Sequence, residues 1–126
     1  MQSKLYEYAV IRIVPRVERE EFINAGIVLF CKKEKYLKCK YELHEEKLRC
    51  MYAAADIDFI KQNLQSFENI ALGKKNESVI ASLDLPERFR WLTATRSTVI
   101  QASKVHPGLC FNEDETLEKL FKEYVK

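Results

Sequence analysis

The chain has 126 residues, of which 47% are hydrophobic and 32% are charged. This length suits one domain, because domains usually contain about 100–150 residues. This balance of hydrophobic and charged residues, together with the length, excludes a mainly disordered chain, a repeat array and a collagen-like chain. The formal net charge of +2 does not demand a nucleic-acid partner, since strong electrostatic binders are usually more basic.

The first third of the chain carries the apolar patterns of β-strands. Residues 5–14 and 24–32 are apolar on both faces, which predicts two interior strands. Pro15 ends the first strand, because proline cannot donate to the ladder. A charged connector, 16–22, with room for one helical turn, joins the two strands. Around residues 37–43, apolar and charged side chains alternate, as in a half-exposed strand.

The rest of the chain is mainly helical in pattern. We predict a helix over 45–55 and a longer amphipathic helix that Asp56 caps and Gly73 ends. A short helix follows over 84–94 with Asp84 as its candidate cap, and Asn112 begins a C-terminal helix in a capping-box-like sequence.

Between the last two helices, residues 98–103 are β-biased, and Pro107 with Gly108 predicts a turn. Strands grouped first, with helices largely after them, indicate an α+β fold. We therefore expect a single globular domain over residues 1–126. It should have about four mainly antiparallel strands, with helices packed mostly on one face.

The cysteine and hydropathy patterns indicate a cytoplasmic protein with reduced thiols. None of the four cysteines forms a C-x-x-C pair, and the two histidines lie far apart, so we expect no metal site. A turn centred on Glu34 would bring Cys31 and Cys39 close together. The longest apolar runs fall far short of the ~20 residues of a membrane span. We expect no membrane contact and no export signal.

The first candidate binding group surrounds the end of the first strand and comprises Arg12, Arg16, Glu18, Arg19 and Asn24. Arginine recognises phosphate or carboxylate in a planar, bidentate way, so the group suits an anion or a protein partner. The alternative is an internal lattice of ion pairs that fixes the connector. Arg12 needs a partner if it is buried, and we expect Glu18 or Glu21 to supply it.

The second candidate group combines guanidinium, indole and hydroxyl groups in Arg90, Trp91, Arg96, Ser97, Thr98 and Gln101. Such a set suits a phosphate, or a base stacked on the indole. It lacks the glycines of a P-loop or a dinucleotide-binding loop, and we expect no cofactor. The alternative is structural, with Thr98 and Gln101 pairing polar positions within a strand.

Lysines crowd the predicted hairpin at positions 32, 33, 35, 38 and 40. A basic β-ribbon can contact phosphate backbones, which makes a nucleic-acid-binding module, using this hairpin and Trp91, an alternative function. Lysines on an edge strand also discourage aggregation between sheets, and we favour that solvated-face interpretation.

A catalytic interpretation centres on His106, placed before Pro107 in the predicted turn, where it would act as a general base. Ser97, Ser103 and Cys110 are candidate nucleophiles. An enzyme acting on a phosphorylated or nucleotide substrate would require a pocket joining His106, Arg96 and Glu18. No spacing matches a known catalytic signature, and we favour a turn residue bonded to backbone.

Two segments carry a resemblance to a known family: YEYAVIRIVPRVEREEFINAGIVLF, over residues 6–30, and RFRWLTATRSTVIQASKVHPGL, over residues 88–109. The chain resembles the small stand-alone bacterial proteins of domain-of-unknown-function family 3037. Members of that family are often encoded beside HipA-like serine/threonine kinases of toxin–antitoxin systems. The resemblance implies a non-catalytic accessory protein for such a kinase. From the two candidate groups of residues, we expect the binding surface to comprise residues 16–24 and 90–101.

Overall fold

The computed structural model describes residues 2–74, 79–96 and 98–126. Within them, five strands form one antiparallel sheet: β1 (Lys4–Ile13), β2 (Ile23–Cys31), β3 (Tyr36–Tyr41), β4 (Ile100–Ala102) and β5 (His106–Cys110). The accompanying helices are α1 (Glu45–Met51), α2 (Ile57–Leu72), α3 (Leu85–Thr93) and α4 (Glu113–Tyr124). Short 3₁₀ turns occupy Val17–Arg19 and Ile80–Ser82. The predicted α+β class is confirmed.

β1 lies in the middle of the sheet and pairs with β2, β4 and β5. One side of β1 pairs with β2, and β3 pairs with β2 in turn. On the other side, β4 pairs with Ile11–Ile13, and β5 pairs with the residues from Lys4 to Tyr8. The prediction that residues 5–14 form an interior strand is therefore confirmed.

The two faces of the sheet carry separate hydrophobic clusters. On one face, Ile11 of β1 packs with residues of α1, α2 and α3, among them Leu64 and Phe89. On the other face, Val10 packs with the apolar side of α4, including Phe121. Three helices thus cover one face and one covers the other, in line with the expectation that helices lie mostly on one face.

The helix ends follow the local sequence signals. The side chains of Asp56, Asp84 and Asn112 each accept a hydrogen bond of 3.0–3.1 Å from the backbone N–H three residues later, at the starts of α2, α3 and α4. Gly73 ends α2 with a φ of 72°, a left-handed conformation that glycine adopts without strain. α1 ends at Met51, four residues earlier than predicted, where the chain turns extended.

The predicted turn at Pro107 and Gly108 is wrong, because both residues lie within β5. Pro107 is opposite Glu7, and Gly108 is opposite Tyr6. Proline is tolerated on an edge strand because its nitrogen can face away from the sheet. A Cβ on Gly108 would lie 2.5 Å from the Tyr6 ring, so glycine leaves room for that ring.

The β2–β3 hairpin does not bring Cys31 and Cys39 together, contrary to the prediction. Its turn occupies four residues, 32–35, so that Cys31 is opposite Tyr36 and Cys39 is opposite Val28. Cys31 and Cys39 therefore project to different faces of the sheet, because successive side chains in a strand alternate.

None of the helices in the described ranges combines the length and the hydropathy that a bilayer crossing requires.

Candidate functional site

A cleft of about 140 Å³ opens between α2, the C-terminal end of α3 and β4. We call it the Trp91 cleft. Its apolar floor comprises Phe67, Ile70, Leu92 and Ile100, and its rim comprises Asn63, Ser66, Trp91, Arg96, Thr98 and Gln101. Four residues of the second candidate group therefore share this rim. Ser97 lies outside the described residues.

Arg96 is held against Trp91 at this rim. Its guanidinium carbon lies 3.9 Å from the centroid of the indole, and the guanidinium donates to the Trp91 carbonyl oxygen. Burial lowers the pKa of Arg96 from its usual value. No carboxylate within the described residues forms an ion pair with Arg96. The cleft thus presents a partly desolvated positive charge beside an apolar floor.

The polar residues after Arg96 shape the loop that leads into β4. The Thr98 hydroxyl donates to the carbonyl oxygen of Ile100 at 2.6 Å, and the Gln101 amide donates to the carbonyl oxygen of Thr98 at 2.9 Å. One backbone acceptor belongs to the loop and the other to the first residue of β4. They give Thr98 and Gln101 a structural role in addition to their place on the rim.

A second depression, of about 240 Å³, continues the same surface toward the connector after β1. We call it the Phe59 hollow; it is lined by Pro15, Tyr52, Ala54, Ala55, Asp56, Phe59, Ile60 and Val99. One turn of α2 joins it to the cleft, because Asn63 donates to the Phe59 carbonyl oxygen. Arg16 extends the surface further, with its guanidinium 5.4 Å from the Tyr52 ring centroid. Arg16 and the Trp91–Gln101 segment therefore lie along one surface.

The charged connector itself forms short-range ion pairs. Arg16 donates to Glu18 at 3.0 Å, and Arg19 lies 2.6 Å from Glu21. A hydrogen bond from its own backbone, and then the Arg16 guanidinium, lowers the pKa of Glu18. These side chains are exposed, so each pair contributes little to stability.

Arg12 pairs with neither Glu18 nor Glu21, contrary to the expectation. Its guanidinium carbon lies instead 4.1 Å from the ring centroid of Phe22, in a cation–π contact. Both proposed carboxylate partners already pair with arginines of the connector.

Arg12 occupies a row across three strands, opposite Asn24 of β2 and Gln101 of β4. The two candidate segments therefore meet through backbone pairing. Strand alternation puts Arg12 on the face of the sheet that α4 covers, since its neighbours Ile11 and Ile13 pack on the other face. Asn24 belongs to the α4 face too, because its amide donates to the Tyr124 carbonyl oxygen at 3.2 Å. Arg12 and Asn24 thus do not reach the Trp91 cleft.

His106 lies in β5 rather than in a turn, which corrects the prediction. Its ring centroid is 5.5 Å from that of Tyr8, whose hydroxyl lies 2.9 Å from the Tyr124 hydroxyl. Tyr8 packs with α4, whereas Arg96 borders the cleft beside α2 and α3. The described structure does not join His106, Arg96 and Glu18 in one pocket.

The candidate nucleophiles Ser103 and Cys110 are both buried. The buried Ser103 hydroxyl is engaged with the backbone, accepting from the Val10 N–H at 2.8 Å. Burial raises the pKa of Cys110, which keeps it a thiol rather than the reactive thiolate. In the described ranges, no three His, Cys, Asp or Glu side chains cluster in a way that would hold a metal ion.

The lysine-rich hairpin faces an acidic helix. Lys40 lies 2.6 Å from Glu118, and Lys38 lies 3.6 Å from Asp114, both carboxylates belonging to α4. These contacts offset two of the five lysine charges. Trp91 lies on the opposite side of the sheet from α4, so the indole and these lysines do not form one surface.

The sequence did not reveal that the exposed side of α2 would contribute to the Trp91 cleft and the Phe59 hollow. Phe59, Asn63 and Ser66 come from its exposed side, whereas the predicted apolar stripe of that helix is buried. Phe59 carried a usable signal, because it is a large aromatic residue outside the stripe. Arg90, in contrast, is exposed on α3 and does not line the cleft.

Comparison with known proteins identifies one family. No curated protein and no solved structure matches the sequence. Residues 8–125 match a family model described as a protein of unknown function, DUF3037. The match spans nearly all of the 126 residues, and the chain therefore belongs to the DUF3037 family.

Proposed function

We propose that this protein is a non-catalytic interaction protein that binds a protein partner through the Trp91 cleft and the Phe59 hollow. The observation that carries the proposal is Arg96, whose guanidinium is partly desolvated and has no carboxylate partner within the described residues. Removing a charge from water costs free energy unless an opposite charge compensates. A carboxylate from a partner would supply that compensation.

The composition of the surface supports protein binding. Aromatic residues and arginine are enriched at protein–protein interfaces and among their hot spots. Phe59 is 52% exposed and Trp91 is 36% exposed. Arg16 lies over the Tyr52 ring of the hollow, and Arg96 lies over the Trp91 ring of the cleft.

The size of the cleft favours one anchoring side chain over a small-molecule substrate. Its volume of about 140 Å³ is below the ~300–1,000 Å³ of typical ligand pockets. An apolar side chain would occupy the floor around Phe67 and Ile100, and a neighbouring carboxylate would reach Arg96. The partner segment therefore combines one apolar anchor with an adjacent Asp, Glu or terminal carboxylate.

We propose further that the partner is a HipA-like serine/threonine kinase. This part of the proposal rests on the family resemblance, since members are often encoded beside such kinases. The accessory protein would bind the kinase through the surface described above.

The experiment measures binding of a purified HipA-like kinase from the same organism to the immobilised chain by biolayer interferometry. Trp91→Ala and Arg96→Ala are each expected to weaken binding about tenfold or more, as hot-spot truncations do. Arg90→Ala is the matched control, because Arg90 belongs to the same segment but lies outside the cleft. We expect it to leave the affinity unchanged.

Two outcomes contradict the proposal in different ways. If the kinase does not bind the wild-type chain, the kinase assignment is wrong. If it binds and all three alanine variants bind equally well, the partner uses another surface. Far-UV circular dichroism of each variant checks that the fold is intact.

A further inference from the structure

Two leucines lie exposed side by side where β1 pairs with β5. Leu5 is opposite Leu109 in the ladder, and their side chains are 61% and 69% exposed. They border a groove of about 720 Å³ that we call the Leu109 face; it is lined by Ser3, Lys4, Leu5, Glu7, Phe30, Lys32, Lys33 and Leu109. Contiguous exposed apolar surface rimmed by polar residues is a feature of interaction sites.

The helical layer stops at the border of the Leu109 face. Leu5 and Ile11 share one side of β1, but only the end around Ile11 is covered by α2 and α3. Phe89 of α3 stacks on Phe30 with ring centroids 5.1 Å apart. Beyond Phe30, the described helices leave this side of the sheet uncovered.

The Leu109 face carries unpaired charges of both signs. Glu7 has no ion pair in the described part of the chain, and neither has Lys32 or Lys33. Lys4, by comparison, pairs with both Glu113 and Glu34. A two-fold interface brings the same patch of two copies together, and every contact in it occurs twice, so a patch with charges of both signs can pair its negative group with the positive group of the other copy at two places. The charges of the Leu109 face are thus complementary to those of its own rotated copy.

We propose that the Leu109 face binds a second copy of this chain and forms a two-fold symmetric dimer. Leu5 and Leu109 of the two copies pack together, and Glu7 of each copy faces Lys32 and Lys33 of the other. The copies associate face to face, because Pro107 deprives the outer edge of β5 of a backbone donor for an added strand. The Trp91 cleft contributes no residue to this contact, so the dimer does not depend on the proposed function.

The first test is the mass in solution. Sedimentation equilibrium of the wild-type chain is expected to give a species of twice the 14.8 kDa chain mass. Leu109→Glu is expected to give the single-chain mass with an unchanged circular dichroism spectrum, because Leu109 is exposed and its replacement does not disturb the core. A wild-type chain that stays monomeric at the highest concentration measured overturns the proposal, as does a dimer that Leu109→Glu leaves intact.

The second test reverses the charges. Glu7→Lys is expected to weaken dimerisation about tenfold, and so is the joint change of Lys32→Glu and Lys33→Glu. The triple variant carries both reversals on every copy and is expected to restore the wild-type dimerisation constant. Lys104→Glu is the control, since Lys104 is exposed outside the face. If the triple variant is as weak as the separate reversals together, the proposed pairing of Glu7 with the lysines is wrong.

Discussion

The Ser103 hydroxyl accepts a hydrogen bond of 2.8 Å from the Val10 N–H and donates one of 2.9 Å to the Lys104 carbonyl oxygen. Ser103 stands between β4 and β5, where the strand that borders β1 is interrupted. Its own N–H donates to the Val10 carbonyl oxygen at 2.9 Å. The buried Ser103 side chain thus supplies a hydrogen-bond acceptor for the Val10 N–H of the central strand, at the gap between β4 and β5 where regular strand pairing is interrupted.

Ser103→Ala is expected to lower the free energy of unfolding by about 1–3 kcal/mol, the cost of leaving the buried Val10 N–H without an acceptor. Urea denaturation followed by circular dichroism measures the change. Ser82→Ala is the control, because the Ser82 hydroxyl also donates to a backbone carbonyl but is exposed. It is expected to change stability by less than ~0.5 kcal/mol. Equal effects of the two substitutions would show that the Val10 bond contributes nothing special.

Replacing Gly26 or Gly108 by alanine is expected to lower the free energy of unfolding by different amounts. A Cβ at Gly26 would collide with the backbone carbonyl oxygen of Lys40, whereas a Cβ at Gly108 would meet the side chain of Tyr6. Backbone in the middle of a sheet gives way less easily than one ring. Gly108→Ala is expected to cost about 1–3 kcal/mol of stability and Gly26→Ala more.

A double-mutant cycle tests the cause of the Gly108 effect. In a Tyr6→Ala background, Gly108→Ala is expected to lose most of its cost, because the colliding ring is gone. Thermal or urea unfolding of the four proteins gives the coupling free energy. A cost that persists without the ring would mean that Gly108 is needed for its backbone and not for the space above it.

The helix caps and β5 differ in how far the local sequence predicts their structure. The caps at Asp56, Asp84 and Asn112 are local, since each side chain bonds to a residue three positions away, and all three predictions are confirmed. β5 depends on pairing with a strand about a hundred residues earlier in the chain. Its proline and glycine therefore resembled a turn until β1 supplied the partner.

In the candidate site, too, the sequence predicts contacts between residues that are close in the chain but not the arrangement that long-range packing sets. The sequence correctly grouped Trp91 with Arg96, which lie five positions apart and stack on each other. It did not show which face of the sheet each polar residue would occupy. Arg12 and Gln101 are directly opposite each other in the ladder, so both side chains project from the face that α4 covers, whereas Ile100 and Ala102 on either side of Gln101 project toward the cleft. Register and face are set by tertiary packing, which no local spacing encodes.

Acid stability is expected to depend on Glu113 at the start of α4. Burial acts to raise its pKa, but the ion pair and hydrogen bond with Lys4, together with a hydrogen bond from its own backbone, outweigh burial, and the net pKa lies below the usual 4.5. A depressed pKa in the folded state stabilises the fold above pH 4.5, and this contribution disappears as the pH falls through the lower folded value. Glu113→Gln is therefore expected to reduce stability at neutral pH but not at strongly acid pH.

Urea unfolding of the wild type and Glu113→Gln from neutral to acid pH measures this difference. Glu115→Gln is the control, because Glu115 occupies the same first turn of α4 but has no lysine partner in the described residues. It shares the interaction with the helix dipole and lacks the ion pair. A constant difference between wild type and Glu113→Gln at every pH would contradict the assignment.

The four cysteines are expected to react with a thiol reagent in two classes. Cys50 is exposed on α1, whereas Cys31 and Cys110 are buried. Burial raises the pKa of Cys39 to about 12, which leaves almost no thiolate at neutral pH. Ellman's reagent is expected to modify one thiol rapidly in the native protein and all four in denaturant. Cys50→Ser should remove the fast phase, and a fast phase that survives would contradict this assignment.

Trp91 is the only tryptophan of the chain, so fluorescence excited at the long-wavelength edge of absorption, where tyrosine does not absorb, reports on the cleft. The Arg96 guanidinium covers one face of the indole. Arg96→Ala is expected to expose the ring, moving the emission to longer wavelength and increasing quenching by acrylamide. Arg90→Ala is expected to change neither property, because Arg90 does not contact the cleft.

Arg96→Lys separates the charge of Arg96 from its planar shape. Lysine keeps the positive charge but cannot stack a flat guanidinium on the ring. It is therefore expected to leave Trp91 as open to acrylamide as alanine does, while retaining part of the affinity for a carboxylate-bearing partner. If Arg96→Lys protects the indole as fully as arginine, the contact with Trp91 depends on charge and not on stacking. If it binds the kinase no better than Arg96→Ala, the planar bidentate geometry of arginine is what the partner carboxylate requires.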